Sequence, residues 1–348
     1  MTFYFGISFC LIIILSIMEK RKKIIWLVPF MILFLISALR ADGMGADFES
    51  YREVFYQINS GYGGYEILYT YLNRICSFLG GYRAVVILVS FLSLIGVIYF
   101  VKSNSLKPSI SIWLYITMGF YTWTFTIYRQ AIAISLVLCA YEFARRKNLF
   151  KFILFILLAT GFHTLSVLLI IMYPILNIKN IKKLWVPISV VAVFLLFFFQ
   201  RYILNIIKFI SGMFGARFAY YDLNQTQTEF GGETLAVFYL LVFGAVILLT
   251  VQAWKKKKRV NTDIIVYSSL SVICQMVAVS FPLANRMGLF FTIPTFLLLP
   301  NIIENEFDYK SKKLCYIFII IISALYLVII LYQDYLTGSH IVPYRSIF

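Results

Sequence analysis

Phe3–Met18 reads FYFGISFCLIIILSIM, and Glu19-Lys20-Arg21-Lys22-Lys23 follows it without a break. An uncharged apolar run of this kind is a candidate membrane span. A basic cluster at its end marks the side that stays in the cytoplasm. In a cleavable signal peptide the positive charge comes first and a small-residue cleavage site comes last. The order here is the reverse, so the sequence predicts a retained first span with the N-terminus outside.

The same pattern recurs along the chain. Apolar runs lie at 24–39, 83–101, 109–127, 129–144, 149–162, 164–177, 184–200, 234–254, 262–281, 287–303 and 314–332. With 3–18 they predict an all-α polytopic membrane protein of about 12 transmembrane helices, a single domain over 1–348 with both termini outside. Composition agrees. Of 348 residues 61% are hydrophobic and 13% charged, and the mean hydropathy is +0.88. A soluble domain carries about 45–50% apolar and about 25% charged residues. The net charge of +16 would suggest nucleic acid in a soluble protein, but basic cytoplasmic loops account for it in a membrane protein.

The charges test this serpentine independently. Loops assigned to the cytoplasm (19–23, 102–108, 145–151, 178–183, 255–261 and 304–313) hold 21 of the 31 cations, 17 of them lysine. The outer side holds Arg40, Arg52, Arg74, Arg83, Arg129, Arg201, Lys208, Arg217, Arg286 and Arg345. Orientation needs only charge, which lysine supplies. Arginine is preferred where a planar fork must grip phosphate or carboxylate through paired hydrogen bonds. The asymmetry therefore points to an anionic ligand on the outer face, although single arginines also serve as interface anchors.

Two long outer segments, 40–82 and 201–233, flank the expected cavity. Residues 48–58 have helical patterning, and Tyr65–Leu79 reads as a short helix in the membrane interface. Arg129 ends an aromatic run at the outer turn of an uncharged hairpin, and Arg286 stands at another tight outer turn. Charge in such places marks a site by default. Arg40, where the second span emerges, and Arg217 complete four arginines converging on one face. A pyrophosphate needs several such donors. His163, at the turn Gly161-Phe162-His163-Thr164, is a further acid–base candidate.

Other chemistry is poorly represented. The five cysteines form no CxxC and no Cys/His cluster, and the two histidines are far apart, so no cofactor and no cysteine- or histidine-based metal site is expected, and a metal bound by carboxylates stays open. No nucleotide-phosphate loop, GxSxG or HExxH motif occurs.

Several short motifs fall together. An arginine ends the second span, followed by Gly45-x-Asp47-x-x-x-Tyr51-x-x-x-Phe55 and Gly64-Tyr65-Glu66-x-x-Tyr69. Then come Arg129-Gln130-x-x-Ala133, Arg145-Arg146-Lys147, Phe162-His163, Arg217-x-x-Tyr220 and Asn285-Arg286. From about 37 to 300 the chain thereby resembles the EpsG/Wzy-type family of bacterial exopolysaccharide, capsule and O-antigen polymerases. One departure is Thr164-Leu165-Ser166 after the Phe-His, where a serine and a small residue are expected.

The resemblance implies a membrane glycosyltransferase with the GT-C-like architecture of lipid-phosphosugar-dependent enzymes, in the bacterial cytoplasmic membrane. Its substrates, as donor and acceptor, would be oligosaccharide repeat units on undecaprenyl diphosphate, with a chain-length regulator as a further partner. Arg40, Arg129, Gln130, Arg217 and Arg286 would bind pyrophosphate. Asp47 or Glu66, with His163 third, would act as base, and Tyr51, Tyr65 and Tyr220 would line the sugar cavity. Two rivals share many features: a lipid-linked-oligosaccharide flippase and an O-antigen-ligase-like transferase.

Overall fold

The computed structural model describes residues 1–177, 184–196, 232–255, 263–278, 283–338 and 340–348. Among these, regular structure is helical apart from one β-bridge, Arg40 with Ser346. Ten helices precede residue 178: α1 (Thr2–Lys20), α2 (Leu27–Ala38), α3 (Phe48–Asn59), α4 (Ile67–Leu79), α5 (Tyr82–Asn104), α6 (Pro108–Thr117), α7 (Phe120–Trp123), α8 (Tyr128–Arg145), α9 (Leu149–Phe162) and α10 (Met172–Asn177). Then follow α11 (Leu184–Leu196), α12 (Gly232–Lys255), α13 (Asp263–Ala278), α14 (Leu283–Glu306) and α15 (Tyr309–Thr337).

Among the described residues, four helices are long and apolar enough to cross a membrane: Thr2–Lys20, Tyr82–Asn104, Ala284–Asn305 and Tyr309–Thr337. Others are apolar but shorter. The 12 residues of α2 rise only about 18 Å, against a hydrocarbon core of about 30 Å. Two expected spans differ in form. The run 109–127 is interrupted, because Gly119 takes φ +79° and ends α6. The run 164–177 begins as a 3₁₀ segment, Thr164–Ile171, before α10.

The chain divides into two compact units, Met1–Tyr173 with Phe296–Phe348, and Pro174–Thr295. In the first unit, hydrogen bonds sort the helix ends into two sets. Glu19, closing α1, accepts from the Ser109 amide (2.6 Å) and pairs with Lys107 (2.6 Å) at the start of α6. Asn301 accepts from the Leu106 amide (2.7 Å) and donates to the Asn104 carbonyl (2.7 Å) at the end of α5. This end carries Lys20, Lys22, Lys23, Lys102, Lys107, Lys147, Lys151, Lys310, Lys312 and Lys313, with Arg21, Arg145 and Arg146 among them. At the opposite end, that of the 40–82 loop, every cation is arginine: Arg40, Arg52, Arg74, Arg83, Arg129 and Arg345.

The loop end is closed by the chain's last residues. Asp334 Oδ2 accepts from the amides of Ile341 (3.1 Å) and Val342 (3.0 Å), turning the chain back after α15. Tyr4 of α1 donates to the Ile341 carbonyl (3.0 Å) and Tyr344 to that of Ile36 (2.9 Å). The Ala41 amide meets the Arg345 carbonyl (2.8 Å), and the Ile347 amide that of Leu39 (3.0 Å).

Beneath this clasp, α6 and α7 are almost wholly buried. That burial permits the irregular stretch 118–127, since broken backbone at membrane depth is tolerated inside protein. Its amides bond locally, Trp123 to the Gly119 carbonyl (3.0 Å) and Ile127 to that of Trp123 (3.0 Å). Two glycines allow close approaches around it. A Cβ on Gly96 of α5 would stand 2.0 Å from the Ser135 carbonyl oxygen of α8. A Cβ on Gly45 would stand 2.2 Å from that of Phe125, and Gly45 also has φ +108°. Gly43, at φ +79°, has no atom near its missing Cβ.

This pair makes a test. Gly43→Ala should cost about 1–2 kcal/mol of backbone strain. Gly45→Ala should add about 1–3 kcal/mol of overpacking to the same strain. Thermal unfolding of the purified variants in detergent should rank wild type above Gly43→Ala and Gly45→Ala lowest; equal melting points would contradict the contact.

Candidate functional site

Apolar packing brings the outer-segment helices to the start of α8. Phe48 and Phe55 of α3, Leu72 and Cys76 of α4, Tyr82, Val85, Val86 and Val89 of α5, and Tyr128 and Ile132 of α8 form one buried cluster. The helical patterning read at 48–58 appears as 48–59, and Tyr65–Leu79 contributes α4.

On top of this cluster lies Arg129, the second residue of α8. Its Nη1 pairs with Glu66 Oε2 at 2.6 Å, side chains 31% and 14% exposed. It also hydrogen-bonds Tyr51. Its Cζ stands 5.8 Å from the ring centre of Tyr65 and 5.9 Å from that of Tyr69. Tyr51 in turn stacks on Tyr128 at 4.4 Å with 3° between the planes, and Tyr65 donates to Gln57 (3.1 Å). A guanidinium carries five N–H donors in a fixed fork, and Glu66 and Tyr51 take up only part of them. The first turn of α8 adds the positive end of its dipole, and the Arg129 amide already bonds the Tyr51 hydroxyl. The combination favours an anion. Burial pushes the Tyr51 phenol above its ordinary range, against the pull of Arg129, so it stays protonated.

Arg40 lies deeper and is fully buried. Its guanidinium donates to the Ser37 carbonyl, to the hydroxyls of Ser37 and Ser90 (both 3.2 Å), and to the Tyr128 hydroxyl (2.8 Å). The ring of Phe125 lies 4.7 Å from its Cζ. Arg40 thus reaches Arg129 through its neighbour Tyr128 and has no exposed surface of its own. Arg83 holds the end of α2, donating to the carbonyls of Arg40 (2.7 Å) and Ala38 and approaching Asp42 at 3.5 Å. Sequence reading counted Arg83 only as an outer cation, although its place in the first turn of a span was a signal.

The remaining candidates scatter. Asp47 is half-buried at the start of α3, and its charge acts on Tyr51. Gln130 is buried beside Arg129. His163 is half-buried where α9 gives way to the 3₁₀ segment. α9 meets α4 closely there, a Cβ on Gly161 falling 2.5 Å from Leu68 Cγ. Arg286 belongs to the second unit, exposed in the first turn of α14. Beside it Asn285 accepts from Gln275 (2.9 Å). Arg217 and Tyr220 lie outside the described residues. Among the described residues no group of three or more His, Cys, Asp or Glu side chains is arranged to hold a metal.

The two arginines should separate in stability measurements. Arg40→Ala leaves buried hydroxyls and a carbonyl unmatched and should cost about 3 kcal/mol or more. Arg129→Ala removes a partly exposed pair and should cost about 1 kcal/mol or less. Melting of both variants in detergent checks this; a drop with Arg129→Ala as large as that with Arg40→Ala would contradict it.

No curated protein and no solved structure matches the chain. The sequence model of the EpsG family matches residues 23–346, a stretch that contains every element of the site above. The chain belongs to the EpsG family, a Wzy-like polymerase family.

Proposed function

We propose that this protein polymerises oligosaccharide repeat units carried on undecaprenyl diphosphate, at the outer face of the bacterial cytoplasmic membrane, into exopolysaccharide, capsule or O-antigen. The observation that carries the reading is the Arg129 fork, held by Glu66 and Tyr51 at the start of α8. It lies at the end of the first unit where all cations are arginine. By the positive-inside rule the lysine-rich end faces the cytoplasm, so the arginine end faces out.

In this reading the acceptor sugar's hydroxyl oxygen attacks the anomeric carbon of the donor chain. The bond from that carbon to undecaprenyl diphosphate breaks, its electron pair leaves with the diphosphate, and the hydroxyl proton passes to a carboxylate. Charge grows on the departing diphosphate, where preorganised donors matter most. Arg129 receives it, with the positive end of the α8 dipole and Gln130 beside it. Arg40 contributes its charge from beneath through Tyr128, and Arg217 and Arg286 remain proposed pyrophosphate-binding arginines.

Glu66 is the first candidate base. A diphosphate that draws Arg129 toward itself loosens the Arg129–Glu66 pair and leaves the carboxylate able to take a proton. Asp47 is the alternative, with His163 third. Tyr51, Tyr65 and Tyr220 line the path of the sugars, and a chain-length regulator would bind beside it. The GT-C-like architecture fits the same reading.

Arg129→Ala should lower polymer output about 10²–10³-fold, the usual loss for one such donor, at unchanged protein level in the membrane. Arg129→Lys should lose most of it too, since charge remains but the fork does not. Full output from both variants would overturn the assignment. Glu66→Gln compared with Asp47→Asn distinguishes the two carboxylates: the one acting as base should lose output at least as severely as Arg129→Ala.

A further inference from the structure

The two helices of the 40–82 segment turn different faces outward. α3 exposes Glu49, Ser50, Glu53 and Gln57 around a single tyrosine, Tyr56, a mostly polar face suited to water. α4 buries Tyr69, Leu72, Asn73 and Cys76 against the cluster under the site. On its other side it leaves Ile67, Tyr71, Ile75, Phe78 and Leu79 exposed, at 64%, 54%, 55%, 89% and 69%. Successive members of that stripe lie on one side of a 3.6-residue helix. Arg74, also exposed, stands at its border. α4 is therefore apolar on two opposite faces, and among the described residues only one has protein against it.

We propose that this stripe is inserted into the phospholipid interface at the loop end, with α4 lying along the membrane plane. Three observations select lipid as the occupant. α4 leads through Gly80-Gly81 directly into α5, a candidate span whose exposed residues Ile87, Phe91 and Ile95 are apolar in the same way. It crosses to the end of α9 at Leu68 and Gly161, so it sits at the level where apolar helices terminate. The border cation and the tyrosine suit phosphate headgroups and the interfacial layer. The placement itself does not rest on the proposed reaction. Its consequence does: Glu66, at the N-terminus of α4, would hold the Arg129 pair at headgroup depth. A diphosphate on a membrane-bound lipid would then reach the pair by moving sideways in the leaflet.

Nitroxide labels test the placement in the full-length protein. One added cysteine replaces Tyr71, Ile75, Phe78 or, as the aqueous control, Glu53, in a background where the exposed Cys10 and the partly exposed Cys274 and Cys315 are serine and the buried Cys76 and Cys139 are kept. Reconstitution is in phosphatidylcholine–phosphatidylglycerol vesicles. Labels at 71, 75 and 78 should be more accessible to oxygen than to a water-soluble nickel chelate, and the label at 53 the reverse. A chelate preference at 75 and 78 would overturn the proposal. So would labels shielded from both reagents, which would mean that protein, such as a second copy of the chain, covers the stripe. If a label disturbs folding, Phe78→Trp with brominated lipids gives a second readout, taken as the emission added to that of the five native tryptophans: strong quenching of the added emission supports insertion, and its persistence overturns it.

Discussion

The buried guanidinium of Arg40 is the interaction on which the loop end depends. A cation inside protein costs several kcal/mol unless its donors are matched. Here the two terminal nitrogens are matched by α2 through Ser37, by α5 through Ser90 and by α8 through Tyr128, with Phe125 against the face of the charge, while Nε finds no partner among the described residues. Three helices from separate parts of the chain must therefore end at one place. Tyr128 is held from both sides, by Arg40 at its hydroxyl and by Tyr51 on its ring. Because Arg129 is the next residue, its origin is fixed before any ligand arrives. Such prior positioning lets a donor stabilise developing charge without reorganising.

The interruption of 109–127 serves the same end. Had that run continued as one helix, no chain turn would present the start of α8 over α3 and α4. The break at Gly119 and the contact of Gly45 with the Phe125 carbonyl put the loop after α2 directly on that turn. The Gly45-x-Asp47 motif is thus explained in its first position by sterics. Its third position, Asp47, begins the helix that carries Tyr51.

Much of this was legible in the sequence, for identifiable reasons. The run 149–162 coincides with α9, 129–144 is one residue short of α8 at each end, and 48–58 is one short of α3. In each case the change of polarity coincides with the change of structure. The positive φ at Gly119 was not legible, because a left-handed turn buried among apolar residues leaves no polar mark. Nor was the 3₁₀ form of Thr164–Ile171, whose apolar composition suits either helix. The pairing of Arg129 with Glu66 could not be read from residues 63 apart in sequence. The depth of Arg40 was hidden too, since a cation ending a span can point outward or inward. Its partners Ser37, Ser90 and Tyr128 look unremarkable one at a time.

The central claim is that the arginine end joins lipid-linked repeat units. Its most direct test is the lipid-linked glycan pool in membranes of a strain lacking the gene, resolved by gel and assayed for the membrane face on which it lies. The account predicts single repeat units accumulating on the outer face, converted to a ladder when the gene is restored. Units held on the inner face would contradict it in favour of translocation, and long lipid-linked chains persisting without the gene would contradict it in favour of ligation.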